Sequence, residues 1–561
     1  MSDQFSKQEQ TVLSQFVTNL DQDTFVLINL PEVVKGALFS RYSRSPKSVR
    51  RLLLDEFINA DESGFKEIVN FDSNQDVEQS LVARQKAEEF YDRVLVGYGD
   101  DSVAELASVH IAVENVSQII AAKALEDNRL GISPLEKSTR YVRYDDKVDG
   151  QYRYYREPAL MKTELAELYT QTNDLLFDTY SDLVAKMTEW IQIRYPKDAD
   201  TKKWVYDATI RAKACDICRQ LLPISTLTNV GLQGNGRAFE YLIVKMSASD
   251  YPEVKALAKQ LKAELDKVIP SFVKRATNHR GEVTQQMLRK RYKRMRSLVE
   301  ATYTSPKKPF TDTDPYPQVR LIRYEQDGQD RIIAGMLYEY LNDSIIDIDN
   351  YVDDLSDADK QTIIDAYCQG RENRHHKPGR ALELTDYIFE ITADIGTYKD
   401  LQRHRVLTPL KQLLVPDYGY EVPNEIIEAG YEKQYRAAMD QATQTYRALA
   451  EKFPMSAQYV LPLGYRCQWI FKLNLREVGH LTELRSQKQG HPYYRIVAQK
   501  MAQAVESVHP IVSKYLLQYV DYETVKLERL ESEKRTDQKR TQLKTNPIKP
   551  KPSPKRRTTQ K

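Results

Sequence analysis

Asp400-Leu401-Gln402-Arg403-His404-Arg405 closes an amphipathic stretch that Pro409 terminates. Two guanidiniums and an imidazole in a row are costly to desolvate without partners. Two guanidinium forks this close together suit phosphates, a carboxylate or the carbonyl edge of a ring. Taken alone, the triplet reads equally as a solvated, arginine-rich helix end. Other polar residues recur at fixed spacing. Leu222-Pro223 is followed 12 residues after the proline by Asn235-x-Arg237, and Leu461-Pro462 by Asn474-x-Arg476 at the same distance. A further set is Ser138-Thr139-Arg140-Tyr141, with Arg219 four residues before Pro223 and Arg485 on the helix after Asn474.

The elements that must position these groups follow from periodicity and breakers. Tyr387, Phe389, Ile391 and Ile395 give a packed helix that ends in Arg403-His404-Arg405. Residues 78–98 have helical spacing, and residues 103–129 read as a long buried helix after a cap at Asp101-Ser102. Helices fill 160–220 with a break near Pro196, then 252–275 and 424–453. Residues 225–235 and 466–474 have strand character, and Asn235 and Asn474 each open a helix. Residues 318–340 read as a β-hairpin around Asp327-Gly328, and a last helix runs from about 492 to 526. The repeated Leu-Pro, strand and Asn-x-Arg block marks an internal duplication. The expected fold class is α+β: two tandem copies of a helix-rich domain on a small, mostly antiparallel sheet. The boundaries are 1–300, a linker at 301–317, 318–527, and a basic, disordered tail at 528–561.

A chain of 561 residues exceeds one core. With 29% charged residues and no apolar run of spanning length, membrane residence is not expected. Four cysteines form no disulfide framework, and the polar N-terminus is no leader, so the default location is the cytoplasm. The net charge of +2 hides a tail with 12 Lys and Arg against four Asp and Glu. That tail makes either a weak contact with nucleic acid or a solvated, solubilising arm.

Placed in order, these elements resemble the flavin-dependent thymidylate synthases. That family carries Arg-His-Arg, seven residues, then Ser-x-Arg-Tyr, a Leu-Pro strand, Asn-x-Arg and a later Leu-Arg. The two halves divide the pattern. Arg403-His404-Arg405 is intact, but Leu413 and Val415-Pro416 follow it where the family has Ser and Arg-Tyr. In the first half Asn128-Arg129-Leu130 replaces the triplet, while Ser138-Thr139-Arg140-Tyr141 is kept. Arg219 has Gln458 as its counterpart, and Arg485 has Met246. The resemblance implies reductive methylation of dUMP to dTMP, with FAD as cofactor and NADPH and methylenetetrahydrofolate as co-substrates. It implies Arg403, His404, Arg405, Asn474 and Arg476 for flavin, Ser138, Arg140 and Arg219 for the nucleotide phosphate, and Arg485 as the catalytic arginine at the uracil ring. One fused chain would stand for two family subunits, so a homodimer is implied. The alternative is a degenerate homologue that binds nucleotide or serves as a scaffold without turnover.

Other motifs carry blander readings. Cys215-x-x-Cys218 reads as buried small hydrophobes, and no metal site is expected. Arg374-His375-His376-Lys377 is either a solvated loop or a ligand entrance. The glycine-rich 231–236 stretch is no dinucleotide fingerprint, and His491 is a minor site candidate.

Overall fold

The computed structural model describes residues 4–59, 104–121, 130–303, 316–524 and 526–545. The fold is α+β. The residues gather into two compact units, each built from separated stretches of chain. The first unit comprises 1–137, 155–159 and 227–308; the second comprises 138–154, 160–226 and 309–561.

In the first unit a three-stranded antiparallel sheet has Leu227–Asn235 at its centre, flanked by Ser108–Ser117 and Ile132–Glu136. Helices Gly236–Ser247, Pro252–Leu265 and His279–Thr302 follow. The expected helix at 103–129 is corrected here, because Ser108–Ser117 is a strand. Val109, half-buried Ile111 and Val113 alternate along one face, and a register shift between Val113 and Val116 then sets the buried valines at 109, 113 and 116, a spacing that reads as helical. The helix expected at 78–98 lies outside the described residues, as do Asn128 and Arg129.

The second unit begins with two helices from the first half of the sequence, α1 (Ala166–Arg194) and α2 (Lys203–Cys218). Strand β1 (Gln318–Tyr324) leads into α3 (Gly328–Tyr338), α4 (Ile345–Asp353) and α5 (Asp357–Cys368). Then come β2 (Asp386–Asp394), α6 (Ile395–Leu401), β3 (Thr408–Lys411), α7 (Glu432–Ala450), β4 (Arg466–Asn474) and α8 (Leu475–Arg485). The chain ends in α9 (Pro492–Val508), α10 (Pro510–Leu516) and α11 (Leu530–Thr545). The sheet is antiparallel throughout, in the order β1-β2-β4-β3.

Four expectations change. The hairpin at Asp327-Gly328 is a strand followed by a helix, because Ile332, Ile333 and Met336 bury one helical face. Tyr387, Phe389 and Ile391 lie on β2, where their two-residue spacing buries all three, and only Ile395 belongs to a helix. That helix is short and ends at Leu401, so Arg403-His404-Arg405 stands in the turn beyond it. The last helix breaks at Pro510. The segment 528–561 contributes a helix, α11, rather than tail alone. Glu528 accepts a 2.7 Å hydrogen bond from buried Lys213, and Arg540 lies over the Trp204 ring.

The sheet core centres on Phe389 and its cross-strand partner Phe471, both fully buried. Phe389→Ala removes a large side chain with no room to collapse and lowers stability by about 3–5 kcal/mol. Urea unfolding followed at the fluorescence of Trp469, itself buried beside Phe471, measures the loss.

Candidate functional site

Two strand-to-helix junctions in the second unit build the site. Strand β4 ends at Asn474, whose Oδ1 accepts a 2.9 Å hydrogen bond from Glu477 N and caps α8. Strand β2 ends at Asp394, which caps α6 through a 2.8 Å bond from Thr397 N. The antiparallel register sets Asp386 against Asn474 and Asp394 against Arg466. The junctions therefore lie at opposite ends of the paired strands, and α6 returns the chain along the sheet toward α8.

Arg403, His404, Arg405, Asn474, Arg476 and Arg485 all line one cavity of about 380 Å³. Arg371, Arg374 and Lys377 line it too, so the loop after α5 provides the entrance-type residues of the Arg374–Lys377 motif. Seven cationic side chains face two carboxylates, Glu383 and Glu477. Arg476 donates to Glu383 at 2.6 Å and to the Pro378 carbonyl at 3.0 Å. Arg371 is held by Glu483 at 2.7 Å. The remaining positive surplus suits a polyanion such as the pyrophosphate of a dinucleotide.

Inside the cavity a relay fixes the imidazole. Arg485 Nε donates to His404 Nε2 at 3.0 Å, so that nitrogen carries no proton. His404 Nδ1 then donates to Glu477 Oε1 at 2.8 Å. Burial, reinforced by Arg485, holds the His404 pKa well below its usual value and keeps the ring neutral. Burial raises the Glu477 carboxyl to about 7, against the nearby cations. The polar atoms of His404, Glu477 and His480 lie within 4.8 Å of one another, a donor set that a metal ion could use. Both His404 nitrogens are already engaged, by Arg485 and Glu477, and His480 meets the His404 ring edge-on at 5.3 Å, so the imidazole serves a hydrogen-bond relay.

The residues read from the first half sit deeper. Arg140 is buried and forks onto Asp216, with Nε and Nη2 at 2.7 and 2.6 Å from its two oxygens. It also donates to Tyr494 Oη at 3.0 Å and to the Gln489 carbonyl at 3.1 Å. Ser138 Oγ accepts from the Arg140 backbone N–H at 3.1 Å and so shapes the turn. Arg219, only 2% exposed, lies 3.1 Å from Asp400. Gly396 makes room for it, since a Cβ there would come within 3.2 Å of Arg219 Nη2. Burial alone would raise Asp400, but Arg219, Arg403, Arg140 and Arg485 together hold it well below the usual carboxylate range. Asp400 is thus the common neighbour of two arginines from each half.

Ser138, Arg140 and Arg219 do not line the cationic cavity; the two arginines form a buried ion cluster with Asp216, Asp400 and Tyr494, and half-buried Ser138 stands in the turn that leads to it. Sequence reasoning missed Asp216 and Asp400 as arginine partners, and Glu477 as the partner of His404. Glu477, three residues past Asn474, was the legible signal, being a capping-box position. Gln458, the second-half counterpart of Arg219, has a structural contact: its Oε1 accepts from Leu414 N at 3.0 Å, in the loop where the family's Ser-x-Arg-Tyr would stand.

Glu477 gives a pH test. Sulfate keeps its charge between pH 6 and 8, so its affinity for the cavity should rise about tenfold as pH falls through about 7 and Glu477 becomes neutral. Glu477→Gln should bind at the low-pH strength and lose the pH dependence, as read by calorimetric titration. The raised pKa also means that Glu477 contributes stability below the ordinary carboxylate range that is lost as pH rises through about 7. The same variant should remove that slope from urea midpoints.

Comparison with known proteins assigns the chain. The profile of Thy1, the thymidylate synthase complementing protein family, matches residues 59–271 and 320–511. A UPF0159 protein of Chlamydia pneumoniae is 43% identical over 94% of this chain and 97% of its own length. A flavin-dependent thymidylate synthase of Sulfolobus acidocaldarius is 26% identical over 35% of this chain and 76% of its own length. Among solved structures, the UMP/dUMP methylase PolB from Streptomyces cacaoi bound with 5-Br dUMP is 16% identical, covering 36% of this chain and 96% of its own, with a TM-score of 0.29. With the family profile covering most of its length, the chain belongs to the Thy1 family, the thymidylate synthase complementing proteins.

Proposed function

We propose that the protein is a flavin-dependent thymidylate synthase that methylates dUMP to dTMP, taking its carbon from methylenetetrahydrofolate and its electrons from NADPH. The observation that carries this reading is the convergence of Arg140 and Arg219 from one half with Arg403 and Arg485 from the other around Asp400. The cationic cavity fits FAD by its chemistry: Arg403, Arg405, Arg374 and Lys377 would hold its phosphates, beside the neutral His404. When bound, the flavin supplies hydride transfer. Arg485, oriented by His404 Nε2, is placed to donate to a pyrimidine carbonyl as negative charge develops on the ring. Arg140 and Arg219, with Ser138 shaping the turn, take the substrate phosphate once it displaces Asp216 and Asp400, so the guanidiniums exchange one anion for another. The tandem copies 1–300 and 318–527, a homodimer that stands for a family tetramer, and a cytoplasmic location complete the proposal. Among the described residues, no helix is long and apolar enough to cross a membrane.

A second reading is a nucleotide-binding homologue without turnover. The bidentate Asp216–Arg140 pair favours it, because that pair already fills the phosphate donors. Visible absorption of the desalted protein with FAD, before and after dUMP, separates the two. A retained flavin band that shifts with dUMP, followed by dTMP formation, supports the synthase. A retained band that shifts with dUMP but gives no dTMP supports the second reading, and loss of the flavin on desalting overturns the assignment of the cavity. Arg403→Ala should weaken FAD retention about 100-fold, and Asp216→Asn should tighten dUMP at least tenfold by releasing Arg140.

A further inference from the structure

The helix His279–Thr302 of the first unit lies outside both stretches that match the Thy1 profile, 59–271 and 320–511, and the proposed reaction does not use it. Its first half packs against the helix Gly236–Ser247 and buries Gly281, Gln285 and Leu288. From Arg289 to Tyr303 every residue except half-buried Tyr292 is exposed. The eight residues Arg289-Lys290-Arg291-Tyr292-Lys293-Arg294-Met295-Arg296 carry six cations. Arg296 is paired with Asp250 at 2.7 Å. Arg289 donates to the neutral Gln285 amide at 3.1 Å, and Arg294 Nε to the Lys290 carbonyl at 3.3 Å. Among the described residues, Arg289, Lys290, Arg291, Lys293 and Arg294 have no carboxylate partner.

A solvated helix face is the ordinary fate of such residues, but a face is one side of a helix. At 3.6 residues per turn these six cations spread over about 220° of the circumference. Arg289 with Lys293, and Lys290 with Arg294, are like charges at i, i+4, which destabilise the helix until an anion lies between them. The arc without cations holds Met295 and Val299, and it continues the arc of Gly281, Gln285 and Leu288. That arc faces the side on which the first half of the helix is packed, so a flat anionic surface such as a bilayer cannot lie against it. Cations on both flanks of an exposed helix match a groove with phosphates on both walls. The major groove of duplex DNA, about 12 Å wide, admits an α-helix, whereas that of an RNA duplex is too narrow.

We propose that the exposed stretch Arg289–Arg296 is a binding surface for duplex DNA, held through the phosphates on the two walls of the groove. This surface depends on neither the flavin nor the nucleotide assignment of the second unit.

The experiment follows the anisotropy of a labelled duplex of about 20 base pairs titrated with the full chain between about 50 and 200 mM salt. The expected result is saturable binding whose log Kd rises with log salt at a slope of about 4–5, from the five cations without a carboxylate partner. Lys290→Gln/Arg291→Gln/Arg294→Gln should weaken binding about tenfold or more and lower the slope by about 3. Arg291→Lys/Arg294→Lys keeps the charge and should keep the affinity within about threefold, which separates the charge from any effect on folding. Absence of duplex binding, or binding that the triple glutamine variant leaves unchanged, overturns the proposal. Three other results also overturn it: tighter binding of the single strand alone, tighter binding of phosphatidylserine vesicles, or an equal loss from Lys555→Gln/Arg556→Gln/Arg557→Gln in the C-terminal segment.

Discussion

A guanidinium taken out of water needs a carboxylate within reach, and in the second unit two aspartates meet that need. Asp216 holds Arg140, and Asp400 draws on four arginines at once. Breaking such a buried pair strands a charge at a cost of several kcal/mol, so these contacts fix where the helices and turns around them can sit. Arg140 ties the turn after Lys137 to α2 and to Tyr494 on α9. Arg219 ties the turn after α2 to the end of α6. The cationic cavity lies above this cluster and takes its orientation from it, because Arg403 and Arg485 belong to both environments.

The sheet supplies the rigidity that the charges require. Strands β2 and β4 are paired along their full length, and each runs straight into a capped helix. A cap residue that is also the last residue of a strand leaves no loop to absorb error. The triplet Arg403-His404-Arg405 then lies about two turns of helix beyond the sheet, outside the regular hydrogen-bond ladder. There its side chains face the cavity instead of a groove between helices. The neutral state of His404 follows from this placement: burial and a neighbouring guanidinium both oppose a proton on the ring.

Much of this was legible in the sequence. The Leu-Pro, strand and Asn-x-Arg block located β4, α8 and the cap residue Asn474, because turn and cap chemistry are local. The six second-half residues read from motif spacing do share one cavity. What sequence could not show was non-local. Tyr387, Phe389 and Ile391 fit either a helix or a strand until a partner strand exists to bury alternate residues. Val109, Val113 and Val116 were hidden by a helical spacing for the same reason. The arginines read as phosphate ligands were correctly singled out as unusual, but their carboxylate partners lie 76 residues away in one case and 181 in the other. No periodicity reports on a pairing at that separation.

The discontinuous make-up of the second unit also bears on how the protein is made. Helices α1 and α2 leave the ribosome early, yet the strands and helices that cover them span residues 318–545. Buried Lys213 meets its partner Glu528 only when that residue is synthesised, more than 300 residues later. A nascent chain therefore carries the apolar faces of α1 and α2 through most of translation, and Arg219 lacks its carboxylate until Asp400 is made, whereas Arg140 can already meet Asp216 on α2. The core of this unit is therefore completed only after the strands and helices of residues 318–545 have been made.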